Sequence, residues 1–300
     1  MRQARPAVLA VLWFCALLSV CRPPLAAALE TDNPRLAPLL AQVPEHWWEG
    51  GWDQTDALRR LAQFSAQPVA QKAEAQFWYA CNLYALRRYD DAIAEFRRLL
   101  EQFGTTDETW AIRAKAQYEL GQVFLYALRR YDEAAAAYAA VVSQYPEAEE
   151  ALLARLMLGY ATAQQGRLDE ALNAYQAVFT DYPLAPASAS AQTRLELARG
   201  RFECGRVWVR KAQASQTSAR DRQAALTQAL AQFKQALIQL PAGEADLRLG
   251  VVDAIHSAFI ALDGNAGRAH RFLEYQLGIA QGAPTRDEAG QPVPDPLAEF

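Results

Sequence analysis

Side chains able to ligate a metal, attack a carbonyl or relay a proton are few in this sequence, and their spacing argues against such roles. Histidine occurs at His46, His256 and His270. These lie far apart in the chain, in unrelated settings, and none forms the His-Glu-x-x-His pattern that sets two imidazoles on one helix face around zinc. There is no glycine-rich phosphate loop, no Cys-x-x-Cys pair and no Gly-x-Ser-x-Gly elbow. Cys15 and Cys21 stand near the N-terminus, and Cys81 and Cys204 are too few for a disulfide framework and are expected to stay unpaired. The recurring acidic pairs Asp90-Asp91, Asp132-Glu133 and Asp169-Glu170 each open a helix, where carboxylates are expected to cap free amides and oppose the helix dipole instead of doing acid-base work. No catalytic, cofactor or metal site is assigned, and the chain is expected not to be an enzyme.

Tyrosine is the residue type whose spacing suggests recognition. Tyr84 and Tyr126 lie 42 residues apart, as do Tyr118 and Tyr160. Tyrosine offers a large contact area and a polar tip at low entropic cost. The elements that must position these residues are repeated. Tyr84-Ala85-Leu86-Arg87-Arg88-Tyr89-Asp90 recurs as Tyr126-Ala127-Leu128-Arg129-Arg130-Tyr131-Asp132, and Ala92 and Phe96 match Ala134 and Tyr138, then Ala171 and Tyr175. In the third unit Leu152, Leu156, Leu158 and Gly159 follow helical spacing. Gly166 breaks the chain, and Leu168, Ala171, Leu172, Tyr175 and Val178 resume the pattern up to Pro183. Each unit reads as two antiparallel helices joined by a tight turn, and the fold class is all-α.

The predicted units cover about 73–106, 107–148, 149–186, 187–243 and 244–280. The fourth holds an insertion over 206–223 with Trp208, Arg210, Lys211, Arg220 and Arg222, which either lengthens its two helices or forms a polar loop. Ahead of them, residues 29–72 form a capping segment in which Asp53 to Phe64 reads as an orphan second helix, preceded by Trp47, Trp48 and Trp52. Residues 281–300 are rich in Gly and Pro and are expected to be disordered.

Leu158-Gly159, Gly166, Leu168, Ala171, Tyr175 and Pro183 resemble the tetratricopeptide repeat, as do Leu120-Gly121, Tyr131, Ala134, Tyr138 and Pro146 with one extra residue before the turn. The first unit departs from the pattern, with Ala80 for the glycine and Gly104 for the proline. The resemblance implies a right-handed α-α superhelix of about four to five repeats in which the first helices line a concave protein-binding groove. Carried over residue by residue, it assigns to that groove Phe77, Cys81 and Tyr84, then Tyr118, Gln122 and Tyr126, then Leu156 and Tyr160, and lastly Gln192, Arg199 and Phe202. Arg199 would meet an acidic group.

Charge and the N-terminus bound the setting. The 300 residues carry 30 basic and 34 acidic side chains, a net charge of −4, which disfavours a nucleic-acid partner. Arg2 and Arg5 precede an uncharged run from Ala7 to Val20, followed by Pro23, Pro24 and Ala26-Ala27-Ala28. This reads as a secretory signal peptide over residues 1–28, and the 14-residue apolar run is shorter than the roughly 20 residues of a membrane span. Leu18-Ser19-Val20-Cys21 resembles a lipobox, with Val20 where a small residue is usual, so Cys21 is a second candidate end of the mature chain, as a lipid anchor. An exported repeat protein with Gln144-Tyr145-Pro146 and Asp181-Tyr182-Pro183 between repeats is similar to envelope proteins of two kinds, the TolA-binding protein of the Tol-Pal system and the lipoprotein of outer-membrane β-barrel assembly. That resemblance implies a periplasmic scaffold for segments of other envelope proteins. An outer-membrane lipoprotein subunit, or an enzyme or small-molecule carrier, are the alternatives.

Overall fold

The computed structural model describes residues 37–41, 53–63, 68–182, 189–214, 217–241, 243–280 and 297, and all regular structure among them is helical. The signal segment, Cys21 and the three tryptophans at 47, 48 and 52 lie outside the described residues. The chain divides into two compact units, one up to Met157 and one from Leu158.

The first unit begins with α1 (Ala37–Leu40) and α2 (Gln54–Gln63). Asp53 starts α2 by accepting the Asp56 N–H at 2.9 Å, and Ala57, Leu58 and Leu61, spaced along one face, are wholly buried. Helices α3 (Val69–Ala85) and α4 (Tyr89–Gln102) form one antiparallel pair. Helices α5 (Trp110–Gln122) and α6 (Tyr131–Gln144) form the next, and α7 (Ala151–Gln164) begins within this unit. The second unit holds the rest of α7, then α8 (Leu168–Asp181), α9 (Ala191–Gln213), α10 (Ala219–Gln239), α11 (Ala245–Asp263) and α12 (Gly267–Ala280).

One contact recurs inside the pairs. Gly121, Gly159 and Gly205 on first helices each face a buried ring on the second: Tyr138, Tyr175 and Phe233. A missing Cβ lets the ring lie flat on the backbone, so the two helices approach closely. Ala80 and Phe96 hold the same places in the first pair, both buried.

The joining turns are equally regular. Arg87, Arg129 and Gly166 take positive φ, at 60°, 54° and 83°, the left-handed residue that ends a helix and lets later N–H groups reach back to its last carbonyls. The Arg88 N–H donates to the Leu83 carbonyl at 2.9 Å and the Arg167 N–H to the Thr162 carbonyl at 3.3 Å. The extra residue of the second unit is absorbed in a π-helical turn, Val123–Ala127, after which the Arg130 N–H reaches back to Phe124 at 2.8 Å.

The acidic pairs Asp90-Asp91, Asp132-Glu133 and Asp169-Glu170 stand in the first turn of the second helices, where they oppose the dipole as expected, but none of them is the N-cap residue. The N-cap residues are Arg88, Arg130 and Arg167, none making a side-chain cap bond. Each arginine pairs with a carboxylate one turn on, Arg88 with Asp91 at 2.7 Å, Arg130 with Glu133 at 2.8 Å and Arg167 with Glu170 at 2.8 Å. These bonds hold Glu133 and Glu170 below the usual carboxylate range. In the tail Leu297 is buried, and its carbonyl accepts from Lys234 Nζ at 2.7 Å; the rest of 281–300 lies outside the described residues.

Candidate protein-binding surface

Most residues assigned to the groove serve the packing. Phe77, Tyr118, Leu156 and Phe202 each stand three residues before the small residue of their helix, so they share its face and meet the second helix. Phe77 lies 6.0 Å from Phe96, Tyr118 5.6 Å from Tyr138 and Phe202 5.8 Å from Phe233, between ring centroids. Leu156 is 1% exposed and Tyr160 8% exposed. Cys81 is buried as well, and Gln122 is 7% exposed with its Nε2 lacking a hydrogen-bond partner. The first helix of a pair is flanked by neighbours on several sides, so helical spacing alone does not separate a groove face from a packing face.

Tyr84 and Tyr126 remain half-exposed. Both stand at the C-terminal end of a first helix, just ahead of the turn. The Tyr84 ring packs 5.7 Å from Tyr89, and the Tyr126 hydroxyl contacts Met157 Sδ at 3.5 Å. Gln192 is exposed at the start of α9 and donates to Glu196.

Arg199 is not available for an acidic partner as expected. It is 9% exposed and flanked by Glu196 at 3.2 Å and Glu244 at 3.9 Å, two carboxylates against one guanidinium. Glu196 was visible one turn before it in sequence, but Glu244 arrives from the segment preceding α11.

The structure adds a carboxyl that the sequence did not single out. Glu119, partly exposed on α5, is pushed up to about 7 by burial and then by the nearby Glu150 carboxylate, itself raised by burial. Burial likewise raises the Cys81 thiol, with Glu119 adding to it. Glu119 is therefore raised towards neutral pH, near the Cys81 thiol and the Glu150 carboxylate.

His256 and His270 are not in unrelated settings. Their rings stack 6.1 Å apart, because α11 and α12 run antiparallel around Gly264. Among the described residues, no group of three or more His, Cys, Asp and Glu side chains could hold a metal ion. The two cysteines Cys81 and Cys204 are free thiols. No helix of the described residues is long and apolar enough to cross a membrane.

Comparison with known proteins agrees with the repeat. A tetratricopeptide-repeat family profile matches residues 80–149, 118–186 and 156–219. Over that stretch, a little under half of the chain, the sequence is similar to tetratricopeptide repeats. BtubC (BKLC) from P. vanneervenii has a solved structure that is 15% identical, with 89% of this chain and 99% of that chain covered at a TM-score of 0.50. The TPR-like repeats of a provisionally assigned kinesin light chain from Podosopora anserina are 16% identical and cover 67% of this chain and 97% of that one, with a TM-score of 0.44. At 15% identity the likeness to BtubC is one of fold alone, in keeping with the all-α helix pairs described above. No curated protein matches the sequence.

Proposed function

We propose that this chain is an exported, non-catalytic adaptor of the bacterial cell envelope that holds peptide segments of other envelope proteins. The observation that carries the reading is the tetratricopeptide repeat itself, with two half-exposed tyrosines, Tyr84 and Tyr126, at equivalent places in successive first helices. Such rings suit a partner that lays an extended or helical segment across them. Export is supported by Arg2, Arg5 and the apolar run from Ala7 to Val20, and the envelope setting by the resemblance to periplasmic repeat proteins.

The test is crosslinking in the native periplasm followed by capture of the full chain and of a Tyr84→Ala, Tyr126→Ala variant. Envelope proteins recovered with the parent and lost with the variant would support the adaptor. Unchanged recovery would move binding off these tyrosines, and recovery of cytosolic proteins alone would defeat the envelope assignment.

Leu18-Ser19-Val20-Cys21 favours a second reading, an outer-membrane lipoprotein subunit of an assembly complex. Mass spectrometry of the mature N-terminus separates the two: a diacylated Cys21 supports the lipoprotein, and an N-terminus at Leu29 supports the soluble periplasmic form.

A further inference from the structure

Helices α9 and α10 form the longest pair of the second unit, 23 and 21 residues against 14 in α8. The residues of the insertion have lengthened both. The extension has its own small core of Ala212, Ala225 and Leu226, with Trp208, Val209 and Leu262 packed against it. Beside that core lies a cavity of about 380 Å³, within the range that takes a ligand group, lined by Trp208, Lys211, Thr217, Ala224, Ala225 and Gln228. The Lys211 ammonium sits 5.3 Å from the centre of the Trp208 ring and is held there by Asp169. The cavity therefore has an aromatic side, two alanines and, in its lining, one cation and the Asp221 carboxylate.

Its surroundings are basic in an acidic chain. From 206 to 223 the sequence holds Arg206, Arg210, Lys211, Arg220 and Arg222 against Asp221 alone, while the whole chain carries −4. Three of the five are occupied. Arg206 pairs with Glu203 at 3.0 Å, Arg210 donates to the Ala163 carbonyl at 2.9 Å, and Lys211 pairs with Asp169.

Arg220 and Arg222 are exposed and make no ion pair with any described residue. They stand on either side of Asp221, which lines the same cavity, in the first turns of α10. A cation at a helix N-terminus costs roughly 0.3–1 kcal/mol against the dipole. Ser218 already caps this end by accepting the Asp221 N–H at 3.1 Å, so neither arginine serves the fold.

We propose that this cavity and the Arg220–Arg222 rim form a docking site for an acidic peptide segment bearing an aromatic side chain. The ring enters the cavity against Trp208, and the flanking carboxylates pair with Arg220 and Arg222. Charge complementarity selects the occupant. An anionic lipid surface fits less well, because no large apolar side chain of the extension is exposed to insert among acyl chains. The site rests on the adaptor reading only in that its occupant is a protein, and it shares no residue with the Tyr84 and Tyr126 surface.

The experiment is fluorescence anisotropy of a fluorescein-labelled random copolymer of glutamate and tyrosine titrated with the full chain. Polyglutamate and vesicles of phosphatidylcholine with phosphatidylglycerol serve as alternative probes. The copolymer should bind, more tightly than polyglutamate, and Arg220→Glu with Arg222→Glu should weaken it at least about tenfold. Trp208→Ala should weaken the copolymer but not polyglutamate. Tyr84→Ala with Tyr126→Ala should leave copolymer binding unchanged, so failure of the tyrosine surface and failure of this site are distinguishable. Unchanged affinity in the double-arginine variant overturns the proposal. So does equal binding of polyglutamate, or binding of the vesicles without the copolymer. Both arginines are exposed, so the decisive variant does not depend on the fate of the core around Trp208.

Discussion

Adding a single methyl group at Gly121, Gly159 or Gly205 tests whether close helix approach holds each pair together. A Cβ at Gly205 would meet Phe233 Cδ1 at 2.6 Å with Cε1 closer still. At Gly121 it would meet Tyr138 at 2.7–2.9 Å and at Gly159 it would meet Tyr175 at 3.0–3.1 Å, whereas ordinary contact begins near 3.4 Å. Replacing a helical glycine by alanine gains roughly 1 kcal/mol of propensity, and overpacking a core costs about 1–3 kcal/mol. At Gly159 the two effects nearly cancel, because a ring shift of a few tenths of an ångström relieves the contact. At Gly205 the ring must move by about 1 Å, yet Phe233 is wholly buried and packs on Phe202. The net loss there is about 1–2 kcal/mol. Urea unfolding of the full chain, followed by circular dichroism, should therefore rank Gly205→Ala as the least stable, then Gly121→Ala, with Gly159→Ala close to the parent. Gly104→Ala, with nothing within 4 Å of its added carbon, is the control and should not lose stability. A Gly205→Ala protein as stable as the parent, or a reversed order, would refute the argument that ring-on-backbone contact sets the spacing of the helices.

At the turns, Arg129→Gly should stabilise by about 0.5 kcal/mol, the relief of a left-handed arginine less the extra chain entropy of glycine, and Gly166→Ala should destabilise by about 1 kcal/mol; opposite signs in the same unfolding assay would count against the αL requirement. Burial pushes the Cys204 thiol up to about 12 and the Cys81 thiol well above its ordinary value. Both should resist alkylation at pH 8 in the native protein and react readily in urea, and fast native labelling of either, read by peptide mass spectrometry, would contradict their placement. Glu119 is raised in the folded state from the ordinary 4.5 to about 7, so the folded protein holds a proton that the unfolded chain releases, and the stability associated with it is present below pH 4.5 and lost as pH rises through 7. Glu119→Gln should match the parent near pH 4 and exceed it at pH 8, and an unaltered pH profile would show that the carboxyl is not desolvated.

The repeat was legible because its turns and close contacts are written in residue types. Gly159 and Gly166 mark the close approach and the left-handed turn, and the heptapeptide ending Tyr89-Asp90 and Tyr131-Asp132 marks the same turn twice. The extra residue of the second unit was visible too, since Tyr84 stands four residues after Ala80 and Tyr126 five after Gly121. Sequence could not say whether it lay in a loop or a helix. A π turn takes it up because that keeps Tyr126 before the turn and Tyr138 on Gly121.

The binding surface was less legible, for a physical reason. Spacing assigns a residue to a face, but in first helices every face from Ala73 to Leu83 meets another helix or is at most half-exposed. The tyrosine ladder therefore split by position along the helix. Tyr118 and Tyr160, near the middle, went into the core, while Tyr84 and Tyr126, near the end, stayed half-open. The stacked pair His256 and His270 could have been found from the antiparallel turn at Gly264, since both stand a few residues from it on facing helices. Arg199 could not, because the second carboxylate beside it comes from Glu244, outside its own helix pair. Charge behaves differently from spacing in this respect. Arg88, Arg130, Arg167 and Arg206 each find an acid one turn away on their own helix, a pairing legible from sequence, whereas Arg220 and Arg222 make no ion pair with any described residue.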